Sequence, residues 1–174
     1  MSDLKKYIRS VPDFPKPGIN FYDLTTLFSE PVGFKLALDK MEAFLRTRDT
    51  QKILAIESRG FILGAALADR MNLPLIVARK KGKLPYKTIV EDYSLEYGSA
   101  SLEIHADAVY PGEKVAVVDD LIATGGTLLA ACKLVERLKG KIAGISCVVG
   151  LVFFPFDKIL ADYEVNYLIS YDSE

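Results

Sequence analysis

Residues 114–127, KVAVVDDLIATGGT, carry an apolar run into two adjacent carboxylates, Asp119 and Asp120, and then into a loop of small and hydroxyl residues. A short β-branched run of this kind fits a buried strand of a parallel sheet. The loop opens directly into TLLAACKLVERLKG, where Leu128, Ala131, Val135 and Leu138 share one helical face. A strand that ends in polar residues and turns at once into a helix is the unit of an open α/β sheet. Ligands of such sheets sit beyond the carboxyl ends of the strands. The stretch therefore predicts a fold class and the location of a site.

The remaining chain repeats the alternation. VGFKLALDKMEAFLRTR (32–48) places Phe34, Leu38, Met41 and Leu45 at helical spacing, and KILAIE (52–57) is a short apolar strand. FILGAALADRMN predicts a helix and LPLIVAR a strand, with Asn72 and Pro74 marking the break. A polar interval, KKGKLPYKTIVEDYSLEYGSA, follows, and EDYSLEYG with SASLEIH alternates as a hairpin around Gly98. IAGISCVVGLVFF is a further strand. The expected fold is α/β: a mainly parallel twisted sheet flanked by helices, in one domain spanning 1–174, without repeats or linkers.

Bulk composition narrows the functional classes. A chain of 174 residues that is 50% hydrophobic suits a single core, burying roughly two thirds of its unfolded surface. With 22 basic against 23 acidic residues the net charge is -1, so no electrostatic footprint for general nucleic-acid binding exists. Cys132 and Cys147 sit in apolar segments without metal-ligand spacing, as buried free thiols do. The opening MSDLKKYIRSVPDFPKPG lacks the apolar core of a secretory signal, and no run nears the roughly 20 apolar residues of a membrane span. The expectation is a soluble cytoplasmic protein with no membrane partner. His105, the one histidine, has no Ser or Cys partner in a nucleophile context and is expected to be structural.

The loop after Asp120 has the chemistry of an anion cradle. Gly125 and Gly126 permit close backbone approach, Thr124 and Thr127 add hydroxyl donors, and the unpaired N–H groups of the helix start point the same way. GxxxxGK[ST] and GxGxxG are both missing, which excludes the triphosphate P-loop and the dinucleotide fingerprint. The cradle suits one phosphate. Adjacent carboxylates repel unless donors or a cation reach them, and vicinal ribose hydroxyls are such donors. A ribose 5-phosphate across strand end and loop answers both features. A plain turn with an Asp cap would account for DD or GG alone, but not for the whole string.

Two further segments collect at strand ends. In KILAIESRGF, Glu57, Ser58, Arg59 and Gly60 follow a strand, and Arg59 offers a planar fork for phosphate oxygens. RKKGKLP (79–85) packs Arg79, Lys80, Lys81 and Lys83 just beyond another, where a departing diphosphate would find positive charge.

VVDDLIATGGT closely resembles the phosphoribosyl-pyrophosphate (PRPP) signature of the type I phosphoribosyltransferases. The resemblance implies that Asp119 and Asp120 hold the ribose hydroxyls, and that Ala123, Thr124, Gly125, Gly126 and Thr127 hold the 5-phosphate. ESRG resembles that family's pyrophosphate loop, in which the peptide before the serine is often strained or cis; Ser58, Arg59, Lys80 and Lys83 would then steady the diphosphate. RKKGKLP followed by YSLEYG (93–98) is similar to the adenine-specific branch. There Glu96 would take the purine N9 proton and Tyr97 would close the loop, with Arg59 completing the catalytic set. RSVPDFPKPGINFYDLTTLF (9–28) is similar to the same branch: within a hood over 1–30, Phe21 stacks on the base while backbone at Ile19 and Asn20 reads its edge.

Leu151 falls where the family places an apolar residue under the base, and residues 81–100 would form a lid. Tyr22 departs from the arginine of many relatives, and GLVFFPF (150–156) from the usual acidic, leucine-rich segment; these bear on an N-terminal contact and on the base-pocket floor or dimer contact respectively. The implied reaction converts adenine and PRPP to AMP and diphosphate in purine salvage. Mg²⁺ would be carried mainly on PRPP and diphosphate oxygens, without protein metal ligands, in a homodimer. Two alternatives stand beside it: a phosphoribosyltransferase for xanthine, hypoxanthine or guanine, and a PRPP-sensing regulator without turnover.

Overall fold

The computed structural model describes residues 4–94 and 99–172. A 3-10 turn at Leu4–Tyr7 leads into β1 (Arg9–Val11) and β2 (Phe21–Asp23), which pair antiparallel as a small separate ribbon. The short helix α1 (Thr25–Ser29) and the long helix α2 (Pro31–Arg46) follow, α2 starting on a proline whose missing N–H would be unpaired there anyway. Next come β3 (Lys52–Ile56), α3 (Gly60–Met71) and β4 (Leu75–Lys80). Asn72 ends α3 in the left-handed region, at φ 53°, where asparagine is tolerated. The hairpin strands β5 (Thr88–Ser94) and β6 (Ser99–His105) precede β7 (Lys114–Val118), the two-residue β8 (Leu121–Ile122) and α4 (Gly126–Arg137). The chain closes with β9 (Lys141–Leu151), α5 (Phe156–Ile159) and β10 (Val165–Tyr171).

The main sheet has the order β10-β9-β7-β3-β4-β6-β5, parallel from β10 to β4 and antiparallel at β6 and β5. Alternate residues of its central strands serve opposite layers. Leu54, Ile56, Val115 and Val117 pack with Leu128, Ala131, Leu134 and Val135 of α4. Ile53, Ala116 and Val118 pack with Leu38, Met41 and Leu45 of α2 and with Leu63 and Leu67 of α3. Each such buried Leu, Ile, Val or Met side chain contributes about 1.5–3 kcal/mol. The expected α/β sheet covered on both faces is the observed one.

Three differences from the sequence reading have local causes. The last long strand ends at Leu151 rather than running through Phe154, because the Phe154 N–H turns back onto the Leu151 carbonyl at 3.0 Å. Strand β10, which no apolar run announced, adds a parallel edge beside β9. The hairpin strands begin at Thr88, before the EDYSLEYG segment, with Thr88 opposite His105.

Candidate active site

Strands β3 and β7 are neighbours, with Ile53 opposite Ala116 and Ala55 opposite Val118. The chain leaves β3 into α3 on one face of the sheet and leaves β7 toward α4 on the other. Their carboxyl ends therefore part at the topological switch point, where an open α/β sheet has its crevice. Asp119 and Asp120 stand on one lip, and Ser58, Arg59 and Gly60 on the other.

The acid pair is locked by backbone. The Asp119 N–H donates to the Ser146 carbonyl at 3.3 Å, and the Asp120 carbonyl accepts from Val148 and Val149, each at 3.1 Å. The Asp120 N–H donates to Asp119 Oδ1 at 2.9 Å. Gly60 makes this possible: a Cβ there would lie 2.7 Å from Asp119 Oδ1 and 3.1 Å from the Val118 carbonyl. Burial, and then the Asp120 charge, push the Asp119 carboxyl well above the ordinary carboxylate range. Burial also raises Asp120, against the opposing pull of Arg59, whose Nε lies 2.7 Å from Asp120 Oδ2.

Arg59 joins two sites that the sequence keeps apart. Its guanidinium contacts Asp120 and also stands over the Phe21 ring of the N-terminal ribbon, 5.5 Å from the centroid. Ser58 is exposed at the lip, and the Glu57–Ser58 peptide is cis, as the resemblance to the pyrophosphate loop implied.

Below Asp120, the small-residue loop bends at Gly125, φ 85°. The Gly125 carbonyl accepts the first-turn N–H of Leu129 at 2.9 Å, and the Gly126 N–H faces Thr124 Oγ1 at 3.5 Å. Ala123, Thr124, Gly126 and Thr127 are half-buried along the rim. Phe156 and Leu160 floor the loop, since a Cβ on Gly125 would meet Phe156 Cβ at 3.1 Å. Part of the unusual 150–156 segment therefore supports the cradle, a role the sequence reading had not assigned to it.

The ribbon is pinned at its base. Asp23 accepts the Thr25 hydroxyl at 2.6 Å and the Thr25 N–H at 2.9 Å, and Arg9 Nη2 at 2.6 Å. The Thr25 hydroxyl, then Arg9 and the Thr25 N–H hold the Asp23 carboxyl down to about 2. Between the strands, Ile19 accepts the Phe14 N–H at 3.1 Å and spends its own N–H on the Lys16 carbonyl at 3.2 Å. Asn20 Oδ1 accepts the Ser10 hydroxyl at 2.6 Å. Ser10, Pro12, Asp13, Gly18, Ile19 and Asn20 line an open hollow of about 350 Å³. Tyr22, the departure from arginine, is buried and stacks on Tyr171 of β10 with centroids 3.7 Å apart. Leu151, buried at the end of β9, belongs to the same cluster as Tyr22 and Ala123.

Lys80, the last residue of β4, and Lys83, on the turn that follows, are exposed. Glu57 Oε2 accepts the Lys80 N–H at 3.1 Å, so this turn is tied to the residue that precedes Ser58. Glu96 and Tyr97 lie outside the described residues. His105 bonds through Nε2 to the Pro85 carbonyl at 2.7 Å, in keeping with its structural reading, and both cysteines are buried and free. Sequence reasoning missed Asp23, Glu103 and Phe156, whose work becomes visible only across long sequence separations.

Among the described residues no group of three His, Cys, Asp or Glu side chains converges as a metal cage. No described helix is long and apolar enough to cross a membrane.

Residues 34–162 match the model of the phosphoribosyl transferase domain. The chain is 50% identical to an adenine phosphoribosyltransferase of Brachyspira hyodysenteriae over 97% of this chain and 99% of that one. It is 50% identical to the adenine phosphoribosyltransferase of Treponema denticola, over 96% and 88% respectively. Among solved structures, the adenine phosphoribosyltransferase of Thermoanaerobacter pseudethanolicus superposes with a TM-score of 0.93 at 43% identity, covering 97% of this chain and 98% of that one. The Saccharomyces cerevisiae enzyme, complexed with an imino-altritol bisphosphate and adenine, superposes with a TM-score of 0.90 at 35% identity, covering 95% and 96%.

Proposed function

The chain belongs to the phosphoribosyltransferase family, in its adenine phosphoribosyltransferase branch, and from that premise we propose how its crevice turns adenine and PRPP into AMP and diphosphate for purine salvage. One observation carries the reading. Arg59 stands between the Phe21 ring and the Asp120 carboxylate, so a base-stacking surface, a cation for diphosphate and an acid for ribose are contiguous. The yeast relative's complex, with a sugar-like bisphosphate and adenine, supports the same pairing of ligands.

Asp119 and Asp120 accept the vicinal ribose hydroxyls, and those donors offset the repulsion within the buried pair. Ala123, Thr124, Gly125, Gly126 and Thr127 wrap the 5-phosphate at the start of α4. Ser58, Arg59, Lys80 and Lys83 hold the diphosphate. As the bond from the anomeric carbon to the diphosphate oxygen breaks and the bond to N9 forms, positive charge develops on the sugar. The acid pair beside it favours that charge. The N9 proton passes to Glu96, with Tyr97 closing over the site; this assignment rests on YSLEYG in the sequence.

Phe21 stacks on the base for about 1–3 kcal/mol, with Leu151 as apolar support, but stacking discriminates little between purines. Selection falls to Ile19 and Asn20. The Ile19 N–H is already bonded to Lys16, whereas its carbonyl, which accepts the Phe14 N–H, keeps a second lone pair that can accept from the adenine amine and would repel a 6-oxo group.

Mg²⁺ would arrive on PRPP and diphosphate oxygens, with Asp119 and Asp120 as the carboxylates on the lip of the crevice. When bound, the ion neutralises leaving-group charge. The same reading takes 1–174 as one domain with a hood over 1–30 and a lid over 81–100, working as a cytoplasmic homodimer; sedimentation tests the dimer. The activity is tested by mixing protein, Mg²⁺, PRPP and each purine base and following nucleotide formation. AMP from adenine, preferred by about 10²-fold or more over 6-oxopurines, is expected. No AMP, or preference for hypoxanthine, guanine or xanthine, would overturn it, and PRPP binding without turnover would identify a sensor.

A further inference from the structure

The basic turn after β4 is held from beneath by two carboxylates that no substrate role claims. Glu103, in β6, is 3% exposed and stands opposite Arg79 of β4 and Val90 of β5. Its Oε1 accepts the N–H groups of Lys83 at 2.9 Å and Leu84 at 2.8 Å, and the Gly82 N–H also bonds to the carboxylate. Its Oε2 accepts the Thr88 hydroxyl at 3.1 Å. Glu57 holds the other end, through the Lys80 N–H at 3.1 Å and Arg79 Nε at 3.0 Å. The turn closes on itself as the Lys83 N–H reaches the Lys80 carbonyl at 3.2 Å, with Gly82 at φ 84°.

Burial alone would raise the Glu103 carboxyl, but the N–H groups of Leu84 and Gly82, the Thr88 hydroxyl and the Lys83 N–H outweigh it and leave the group below its ordinary value. Glu103 is thus an ionised acid at the foot of an exposed turn. Water would satisfy those N–H groups without the desolvation of a buried charge, so folding alone gives a weak reason for it. What the arrangement achieves is separation of roles: backbone donors satisfy the carboxylates, and among the described residues the ammonium groups of Lys80, Lys81 and Lys83 form no ion pair.

We propose that Glu103 is a positioning residue for diphosphate recognition, fixing the 80–84 turn so that Lys80 and Lys83 meet the leaving group with uncommitted ammonium groups. The proposal rests on the reading that these lysines hold the diphosphate. Glu57 makes the turn and the Ser58–Arg59 loop one unit, so both parts of the diphosphate site keep a common geometry.

The test compares Glu103→Ala, Glu103→Gln, Thr88→Val, Lys80→Ala, Lys83→Ala and the Glu103→Ala/Lys83→Ala double variant, each at a temperature where circular dichroism finds it folded. Calorimetric diphosphate affinity and the KM values for PRPP and adenine are the readouts. Glu103→Ala should weaken diphosphate and raise the PRPP KM by about 10-fold or more, while the adenine KM stays within about 2-fold. Glu103→Gln keeps an oxygen acceptor and should recover most of the loss, and Thr88→Val should lose less, in the same direction. The double variant should lose less than the product of the two single losses, since part of the Glu103 effect acts through Lys83. If Glu103→Ala does not fold, Glu103→Gln and Thr88→Val decide by the same affinity readout. Unchanged diphosphate affinity in the Glu103 and Thr88 variants, with loss in Lys83→Ala, overturns the positioning role alone. Unchanged affinity in Lys80→Ala and Lys83→Ala overturns the lysine reading and the proposal with it.

Discussion

Gly60→Ala adds one methyl group where the two lips of the crevice come closest. The new Cβ would lie 2.7 Å from Asp119 Oδ1, about 0.7 Å inside the 3.4 Å at which ordinary contact begins, and 3.1 Å from the Val118 carbonyl. The carbonyl is fixed at the end of β7, so the Asp119 carboxylate must do most of the yielding. Overpacking of this kind costs about 1–3 kcal/mol, and because Gly60 is the first residue of α3 the helix-interior advantage of alanine offsets little of it. A loss of about 1–3 kcal/mol lowers Tm by about 2–12 °C in a domain of this size. Activity should suffer more than stability: a displacement approaching 1 Å in a positioning group costs up to about 10²-fold, so kcat/KM for PRPP should fall by about 30–100-fold. The adenine KM should hold within about 2-fold, because the hood is untouched.

Steady-state kinetics beside thermal melts make the comparison, with Gly112→Ala as control. Gly112 has φ 86° and nothing within 4 Å of an added Cβ, so alanine there strains only the backbone, by about 1–2 kcal/mol, far from the crevice. If Gly60→Ala keeps kcat/KM within about 3-fold, or Gly112→Ala loses as much activity, close packing against Asp119 is not what positions the sugar.

Asp119→Asn should stabilise the protein while lowering kcat/KM by about 10³-fold. A carboxyl raised above its unfolded value of 3.8 has its stability contribution in full below that value and loses it as pH rises through the folded pKa. The wild type therefore loses stability as pH rises from 3.8, and melts across pH should find the variant's advantage growing toward alkaline pH and shrinking toward acid. Arg59→Lys keeps the charge beside Asp120 but not the planar fork, and diphosphate affinity measured by calorimetry should fall about 10-fold. Asp23→Ala should loosen the ribbon that carries Phe21, raising the adenine KM by about 5-fold with diphosphate affinity unchanged. Because the Asp23 carboxyl is lowered to about 2, the hold it gives the ribbon is present above 3.8 and is lost as pH falls toward 2; hydrogen exchange in 9–23 reads this directly.

The central strands were legible because KILAI and KVAVV are buried on both faces, and full burial writes itself as an unbroken apolar run. The crevice was legible for a related reason: acid pair, glycines and hydroxyls are consecutive, so their chemistry could be read without tertiary structure. What escaped depends on approach across the fold. Arg59 reaches Phe21 and Asp120 from a different segment, and no local pattern announces that convergence. Glu103 occupies a polar position in SLEIH and is buried because the 82–84 turn folds over it. Tyr22 looked like a lost charge, yet its ring is absorbed by Tyr171 of β10, a strand with no apolar run to mark it.

The central claim is that Asp119 to Thr127 binds a ribose 5-phosphate, hydroxyls on the acids and phosphate on the loop. A crystal structure with AMP bound tests it most directly. The expected result has both ribose hydroxyls within about 3 Å of the Asp119 and Asp120 carboxylates and the phosphate enclosed by the N–H groups of 123–127. A phosphate seated on Arg59 and Lys80 instead, with the acid pair free of the sugar, would contradict it.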